Sequence, residues 1–334
     1  MIFAPESTPL GTPPMSESPW SLLPAASANA EALDTLYIFF WVLCGISLVI
    51  AIGAQIYLMV KYRMPADGKH RKTSPLTHNG QLEFWWSAIP TVGFLVLFFW
   101  GEIDYMKQVT PPSDAIDVRV TGSKWFWTVD YPAVPGATLN NELIVPVGVP
   151  MRLTMTSTDV IHSFFVPVFR LKKDVVPGRY TVLWFEATKE GEYPLFCTEY
   201  CGDQHSGMIG KVFVVKAEEY EARLKEAARL EYDPTKGDKS QADFGRRIYK
   251  RKACDSCHSL DGSAKTGPTW KGIYGRTEQT NAGPVTVDDN YIRESILEPN
   301  KKVVQGYTPQ MPSFAGQLDD KQITALIEFM KEQK

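Results

Sequence analysis

Four sulfur or imidazole side chains fall within one short segment, Cys197-Thr-Glu-Tyr-Cys201-Gly-Asp-Gln-His205-Ser-Gly-Met208, at intervals of four, four and three residues. Thiolate, thioether and imidazole are ligands that copper prefers, whereas magnesium and calcium prefer oxygen. The spacing is also compatible with a Cys197–Cys201 disulfide or with a structural zinc loop. Met208 argues against zinc, because a thioether rarely binds that metal. Since an ordinary blue-copper site has a single Cys, the second thiol points to two copper ions bridged by two sulfur atoms.

This segment resembles the dinuclear copper (CuA) loop of subunit II of the haem–copper cytochrome c oxidases, and the resemblance extends over roughly residues 35 to 216. Members of that family also need a His from an earlier strand, which His162 in Ser157-Thr-Asp-Val-Ile-His-Ser-Phe164 matches. The copper ligands that the resemblance implies are the bridging thiolates of Cys197 and Cys201, the imidazoles of His162 and His205, the axial thioether of Met208 and the backbone carbonyl of Glu199. It also implies that the Glu199 side chain contributes to a magnesium site shared with subunit I, and the alternative is an exposed carboxylate.

An aromatic segment, Gly122-Ser-Lys-Trp-Phe-Trp-Thr-Val-Asp-Tyr131, precedes these residues. In a strand, Trp125 and Trp127 would share one face and Phe126 would take the other. The segment resembles the aromatic patch at which electrons enter members of the family, and Trp125 matches the residue of entry, with core packing as the alternative. Asp159 is either an ordinary turn carboxylate or, by the same resemblance, an acid near the copper and the partner surface.

Two apolar stretches predict a transmembrane helix hairpin over residues 36–108. The stretch from Leu36 to Val60 is long enough to cross ~30 Å of hydrocarbon. The second, from Trp85 to Tyr105, is shorter and contains Pro90, but Trp residues at its ends are typical of membrane interfaces. Residues 1–35 are rich in Pro, Ser and Ala and contain no Lys or Arg, so they lack the basic region of a secretory signal and are predicted to be a periplasmic tail.

The charge distribution predicts the orientation of the hairpin. The connecting loop is basic, whereas the sixty residues before it contain no Lys or Arg; the basic residues are Lys61, Arg63, Lys69, Arg71 and Lys72. The loop is therefore expected in the cytoplasm, with the later domains on the periplasmic side of a bacterial inner membrane. Glu83 is either a solvated charge at a helix end or a group of proton entry, because a Glu before a Trp-Ser/Thr-x-x-Pro pattern lies near a proton channel of subunit I in the family.

Residues 109–216 contain short β-rich runs separated by Pro and Gly turns, which predict an antiparallel sandwich; by resemblance this is a cupredoxin domain. Residues 217–240 are rich in Ala, Glu and Lys. We interpret them as a charged linker, made of a solvated helix and a flexible joint.

Residues 241–334 contain the segment Cys254-Asp-Ser-Cys257-His258, the signature of covalent attachment of a c-type haem. A redox dithiol or half of a zinc site is the alternative. The segment from Thr266 to Arg276 resembles the loop of class I cytochromes c whose Pro carbonyl orients the His ligand, so an all-α cytochrome c domain is expected here. Gly245 and Tyr249 suit a close crossing of an early helix against Leu326 and Phe329.

The second axial ligand of a haem in such a domain is commonly Met on a loop. We predict Met311, in Tyr307-Thr-Pro-Gln-Met-Pro-Ser-Phe314. Met330 is the rival, but it belongs to a pattern with Ile323, Leu326 and Ile327 at intervals of three and four residues, which is typical of the buried face of a terminal helix.

The chain thus resembles subunit II of a caa3-type cytochrome c oxidase with a fused cytochrome c. The resemblance implies an electron path from cytochrome c or another respiratory donor to haem c, past Trp125 to CuA, and on to subunit I, where oxygen is reduced to water and protons are pumped. The implied partners are subunit I, subunits III and IV, the donor and membrane lipid. The net charge of −3 gives no sign of nucleic-acid binding, and no catalytic triad, phosphate loop or paired acid indicates an active site on this chain.

Three alternatives remain at this point. The first is the electron-accepting subunit of a copper-containing nitric oxide reductase, although Glu83 and Asp159 favour the oxidase. The second is a membrane-anchored electron carrier without a fixed partner. The third, a quinol oxidase subunit II, is disfavoured because such relatives lack the copper ligands.

Overall fold

The computed structural model describes residues 24–64, 66, 68 and 74–334. The chain divides into two compact units, one formed by Ala28–Thr110 and the other by the remaining residues. Most of the expected tail, residues 1–23, lies outside the described residues, as do Lys69, Arg71 and Lys72 of the basic loop.

The first unit consists of two helices, α1 (Ala28–Lys61) and α2 (Gly80–Val109), both long and apolar enough to cross a membrane. Helix α1 begins before Leu36, where the sequence placed its start. The added residues, Ala28 to Thr35, are mostly good helix formers, and Glu31 in the first turn complements the helix dipole. At the start of α2, the Asn79 side chain accepts the N–H of Leu82, and the Glu83 carboxylate accepts the N–H of Asn79. Glu83 therefore contributes to a cap.

The predicted cupredoxin domain, called the copper domain below because it carries the predicted copper ligands, is a sandwich of two five-stranded sheets. The first sheet has the order β3-β2-β1-β5-β8, built from β1 (Ile116–Ser123), β2 (Phe126–Asp130), β3 (Thr138–Asn140), β5 (Pro150–Ser157) and β8 (Thr181–Glu186). The second has the order β4-β10-β9-β6-β7, built from β4 (Glu142–Pro146), β6 (His162–Val166), β7 (Leu171–Val175), β9 (Gly191–Cys197) and β10 (Ile209–Val215).

The sequence predicted a purely antiparallel sandwich, but the observed sheets are mixed. Strand β1 runs parallel to β5, and β4 runs parallel to β10. Strands that follow one another along the chain switch between the sheets, so some spatial neighbours are distant in sequence and run in the same direction. The phenol of Tyr131 joins the sheets, because it donates to the carbonyl of Ile144 and accepts the N–H of the same residue.

The last residues before α1 are packed and not a free tail. Ala26 is fully buried, its N–H donates to the carbonyl of Val168, and its carbonyl accepts the N–H of Thr188. These bonds attach residues 24–27 to the edge of the copper domain.

Helix α3 (Ala217–Ala228) follows the sandwich and is not solvated on all sides as the sequence interpretation had it. Tyr220, Leu224 and Ala227 are buried in the core of the copper domain. They recur at intervals of four and three residues, which places them on one face of a helix. The abundance of charged residues on the other face obscured this short apolar stripe.

Residues 241–334 are called the haem domain below because they carry the predicted haem-attachment residues. This domain contains helices α4 (Gln241–Arg251), α5 (Cys254–Cys257), α6 (Asp289–Leu297) and α7 (Asp320–Glu332). A small hairpin of β11 (Thr277–Thr280) and β12 (Gly283–Thr286) adds to the expected helices. The predicted close crossing of α4 and α7 is confirmed: a Cβ on Gly245 would overlap the carbonyl of Ala325, and the rings of Tyr249 and Phe329 lie 5.6 Å apart.

Candidate copper and haem sites

The structure brings the predicted copper ligands together in one cluster. The ligand atoms of His162, Cys197 and Cys201 all lie within 4.8 Å of one another, and all three residues are buried. Nδ1 of His205 lies 3.4 Å from Sγ of Cys201, and Sδ of Met208 lies 3.9 Å from the same sulfur. The backbone carbonyl oxygen of Glu199 lies 3.3 Å from Sγ of Cys197.

Strand pairing explains this convergence. Cys197 ends β9 and lies opposite Phe164 of β6, the strand that His162 begins. Beyond Cys197 the chain turns back through residues 198–208, and the N–H of Cys197 donates to the carbonyl of Met208 at the end of that loop. Both ends of the loop therefore belong to adjacent strands, which hold the ligands without any metal.

The two thiols do not form a disulfide. Their Sγ atoms lie 3.8 Å apart, whereas a disulfide bond is about 2.05 Å long. The described donor set consists of sulfur and imidazole with one backbone carbonyl, which suits copper and does not suit magnesium or calcium.

Asp159 determines which nitrogen of His162 is available to a metal. The Nε2 atom of His162 lies 2.8 Å from Oδ1 of Asp159, while Nδ1 lies 3.9 Å from Sγ of Cys197. Because a carboxylate accepts a hydrogen bond, Nε2 carries the proton and Nδ1 faces the sulfur cluster. Burial lowers the pKa of His162, but its hydrogen bonds with Asp159 and Cys197 outweigh burial and raise that pKa to about 8.

The two copper-loop thiols ionise unequally. Burial raises the pKa of both. For Cys197, hydrogen bonds with His162 and with neighbouring backbone overcome burial, and the pKa is lower than usual. For Cys201, repulsion by the charge on Cys197 adds to burial, and the pKa is higher than usual. A single negative charge therefore forms first, and the second thiolate requires a nearby positive charge such as a metal ion.

Trp125 is directly connected to the copper loop. Its side chain is buried, and its indole N–H donates to the carbonyl of Cys201 at 3.2 Å. The backbone N–H of the preceding Lys124 donates to Asp159, so Trp125 is held from both sides of the cluster. Trp127 is fully buried and packs edge-on against the ring of His162, with 5.9 Å between the ring centroids.

Two glycines near the copper ligands were missed by sequence reasoning. A Cβ on Gly122 would come within 2.9 Å of the His162 ring, and one on Gly202 would come within 3.1 Å of the Trp125 ring. Gly202 also has a φ of +115°, which favours glycine. One signal for these glycines was present in the sequence, which is that Gly202 directly follows the predicted ligand Cys201.

The haem-attachment residues line a largely apolar cleft with about 1350 Å³ of empty space, part of which is open to solvent. Cys254, Cys257, His258 and Met311 all contribute to its wall. Nδ1 of His258 donates to the carbonyl of Pro268 at 2.7 Å, which confirms the predicted role of that carbonyl and leaves Nε2 for a metal. Gly267 permits this approach, since a Cβ there would come within 2.6 Å of the His258 ring.

The protonation states of the cleft suit a bound haem. Burial lowers the pKa of His258, so the imidazole is neutral and can act as a ligand. Burial also raises the pKa of Cys254 to about 12 and that of Cys257 above its usual value, so both remain thiols at neutral pH. An apolar cleft with two thiols, a neutral imidazole and a thioether fits a covalently attached haem.

The two candidate methionine ligands differ in their surroundings. Met311 is half-buried in the loop between α6 and α7, whereas Met330 is 5% exposed and lies on α7 in the core of the haem domain. Both side chains contribute to the cleft wall. Because Met311 lies on a loop, its side chain can turn toward a haem. Met330 is instead packed in the core, where it stabilises α7.

Comparison with known proteins agrees with this architecture. Residues 136–216 match the family described as cytochrome C oxidase subunit II, periplasmic domain, and residues 242–334 match cytochrome c. Cytochrome c oxidase subunit 2 of Cereibacter sphaeroides is 30% identical over 250 residues, covering 63% of this chain and 80% of that protein. This chain belongs to the cytochrome c oxidase subunit II family.

Other relatives cover different parts of the chain. Cytochrome c oxidase subunit 2 of Alkalihalophilus pseudofirmus is 26% identical over 310 residues, covering 90% of this chain and 86% of that protein. Among solved structures, the periplasmic domain of subunit II of cytochrome oxidase (CoxB) of Bradyrhizobium japonicum is 30% identical; the match covers 35% of this chain and 96% of that chain, with a TM-score of 0.33.

Membership of the cytochrome c oxidase subunit II family has consequences for the whole chain. The protein is a subunit of a haem–copper oxidase, so it works together with a subunit I. The subunit II domain implies copper and the C-terminal domain implies haem. With its two apolar helices, the subunit is anchored in a membrane.

Proposed function

We propose that this subunit II receives electrons for a caa3-type cytochrome c oxidase. Electrons pass from cytochrome c or another respiratory donor through covalent haem c and dinuclear CuA to subunit I, where oxygen reduction to water is coupled to proton pumping. One observation carries the proposal: Trp125 lines the same cleft as the haem-attachment residues and donates its indole N–H to the carbonyl of Cys201. The buried indole therefore connects the two sites.

In the proposed copper site, Cys197 and Cys201 bridge the metals. His162 and His205 supply the terminal imidazoles, Met208 the axial thioether and Glu199 its backbone carbonyl. The support is the cluster itself, in which Nδ1 of His205 faces Cys201 and Nδ1 of His162 faces Cys197. Bound copper supplies a one-electron store, and the strand-held loop keeps the ligands in place when its charge changes.

In the proposed haem site, Cys254 and Cys257 form the covalent attachment, while His258 and Met311 are the axial ligands. Pro268 and Tyr249 hold the attachment segment, because the phenol of Tyr249 donates to the carbonyl of His258 at 2.6 Å.

Two acidic residues have proposed roles at the border with subunit I. The Glu199 side chain is exposed, while its backbone carbonyl faces Cys197, so the carboxylate is available for a shared magnesium site. Glu83 uses one carboxylate oxygen to accept the N–H of Asn79, and we propose that it receives protons near subunit I.

We place the subunit in a bacterial inner membrane with its copper and haem domains on the periplasmic side, next to subunits I, III and IV. The support is the basic end of α1 at Lys61 and the apolar length of both helices.

Metal analysis and spectroscopy of the purified complex test the function. We expect two copper ions and one c-type haem iron per subunit II, oxygen consumption without nitric oxide reduction, and a mixed-valence copper signal in electron paramagnetic resonance. Cys201→Ser should abolish that signal, because it removes one bridging sulfur. Cys44→Ser, which removes the exposed thiol of α1, is the control. Zinc in place of copper, or an unchanged signal in Cys201→Ser, would contradict the assignment.

A further inference from the structure

The segment that joins the two redox domains is attached to both of them. On the copper side, Leu224 of α3 is 1% exposed and Tyr220 packs edge-on against Tyr131, with 6.5 Å between the ring centroids. Helix α3 is therefore part of the copper domain and not a free spacer.

On the haem side, three side chains donate to backbone carbonyls in the last turn of α3 and in the three residues after it. Arg251 donates to Ala227 at 2.6 Å, Gln322 donates to Leu230 at 2.8 Å, and Arg247 donates to Glu231 at 2.6 Å. Carbonyls at the C-terminus of a helix lack partners within the helix and attract positive charge. The haem domain thus supplies a donor to one carbonyl in the last turn of α3, that of Ala227.

The next part of the linker is fixed as well. Asp238 is 1% exposed and receives two hydrogen bonds from Arg247, at 2.6 and 2.8 Å. The N–H of Asp233 also donates to Asp238, at 2.9 Å. Because a buried carboxylate is costly without such partners, the loop from Asp233 to Asp238 keeps one arrangement and does not act as a flexible joint.

The charge of Arg251 also acts on a carboxylate of the copper domain. Burial lowers the pKa of Arg251, whereas the negative charge of Glu142 on β4 raises it. Burial raises the pKa of Glu142, whereas the positive charge of Arg251 lowers it. The two groups therefore interact across the boundary between the domains, where burial makes each charge depend on the other.

The position of Arg251 couples this boundary to the haem cleft. Arg251 is the last residue of α4, three residues before Cys254, and its contacts therefore act close to the haem attachment. Lys124, Trp125 and Phe126 of the copper domain line that cleft, and Cys257 packs against the copper-domain core. Any rotation of α4 about the end of α3 would change the approach of the attachment segment to Trp125.

We propose that Arg251 is a positioning residue that locks the haem domain onto the copper domain through its hydrogen bond to the Ala227 carbonyl. Electrons then pass between haem and copper within one fixed arrangement, and not during encounters of a mobile tethered domain. This inference rests on the proposed electron-transfer function.

The test compares Arg251→Gln, Arg251→Lys and the control Lys250→Gln in the assembled oxidase. Lys250 is exposed on the same helix and carries the same charge. After rapid reduction of the haem, undocked molecules should transfer electrons to copper in a slow phase. We expect the amplitude of this slow phase to rise about tenfold in Arg251→Gln, because the lost hydrogen bond from a charged group is worth at least about that factor. The amplitude should be intermediate in Arg251→Lys and unchanged in Lys250→Gln, with the copper and haem spectra unchanged in each variant.

Limited trypsin digestion gives a readout that does not depend on turnover. Cleavage at the exposed Lys239 of the linker should be about tenfold faster in Arg251→Gln, because proteolysis follows the population of the open form. An unchanged slow-phase amplitude and an unchanged cleavage rate in Arg251→Gln would overturn the proposal while leaving the proposed function intact. Absence of copper or haem from the unsubstituted complex would instead overturn the proposed function.

A second variant covers the case in which Arg251→Gln does not assemble with haem. Gln322→Glu removes the donor to the Leu230 carbonyl, keeps an oxygen to accept the N–H of Asp319 and leaves Arg251 and the attachment segment unaltered. We expect both readouts to change several-fold in the same directions as in Arg251→Gln. If Gln322→Glu matches the unsubstituted protein in both measurements, the attachment of the haem domain to the end of α3 does not control docking, and the proposal is wrong.

Discussion

The copper site and the haem site differ in what holds their ligands. In the copper domain, the ligand atoms of His162, Cys197 and Cys201 already lie within 4.8 Å of one another, because two paired strands and one short loop carry them. In the haem domain, His258 and Met311 belong to the wall of a largely apolar cleft that is partly open to solvent. A metal ion is small, so side chains must surround it closely to bind it. The iron of a haem is already bound by the ring, so the protein needs only a cavity for the ring and residues that serve as axial ligands.

The difference suggests that the two domains respond differently to damage. The copper site depends on the rigidity of packed sheets, so a core substitution behind a ligand should disturb stability and metal together. The haem site depends on a few residues around an opening, so ligation and stability should be separable. Four substitutions examine this contrast.

The largest effect is expected for Trp127→Ala. The fully buried indole packs against both His162 and Phe164, and truncation of such a side chain costs about 3–5 kcal/mol. Chemical denaturation should show this loss of unfolding free energy in the copper domain, accompanied by an altered copper spectrum. Tyr180→Ala, at a side chain that is 74% exposed, should change stability by at most about 0.5 kcal/mol. A small effect of Trp127→Ala on both readouts would show that the sheets do not hold the ligand.

A pair of substitutions in the haem domain should separate ligation from stability. Met330→Ala removes a side chain that is 5% exposed, so it should lower the unfolding free energy by about 2–5 kcal/mol and keep the Met–iron charge-transfer absorption. Met311→Ala should abolish that absorption, because it removes the axial sulfur, while costing less stability in the haem-free chain. If the absorption instead survives Met311→Ala and disappears in Met330→Ala, the two roles are reversed.

The smallest effect is expected for Asp159→Asn. The carboxylate holds Nε2 of His162 at 2.8 Å, and loss of such a partner behind a metal ligand typically weakens metal binding 10–100-fold. Titration of the metal-free subunit with copper should show this loss while the dinuclear signal is retained at saturation. Asp117→Asn, at an exposed ion pair with Arg152, is the matched control. Equal copper affinity in Asp159→Asn and the control would mean that the strands alone orient the ring.

Much of both sites was visible in the sequence because their chemistry is local. The copper loop places Cys197, Cys201, His205 and Met208 within twelve residues, and Cys254 to His258 form one continuous signature. The apolar lengths of α1 and α2 and the three-and-four periodicity of α7 are also short-range patterns, and the described helices follow them.

Long-range contacts were not visible in the same way. The interpretation of residues 217–240 as a flexible linker missed the burial of Leu224 and the hydrogen bonds of Arg251 and Arg247, since donor and carbonyl lie 24 and 16 residues apart. Likewise, nothing local indicated that Gly122 must leave room for the ring of His162.

The amino-acid order alone predicted which metals and cofactors this subunit holds, because the identity and spacing of ligands are properties of single short segments. Only the folded structure showed how those segments face one another. Trp125 connects the copper loop to the haem cleft, and α3 contacts both the copper domain and the haem domain. Such arrangements depend on packing between strands and helices far apart along the chain, and the free energy of that packing belongs to pairs of surfaces that no single segment contains.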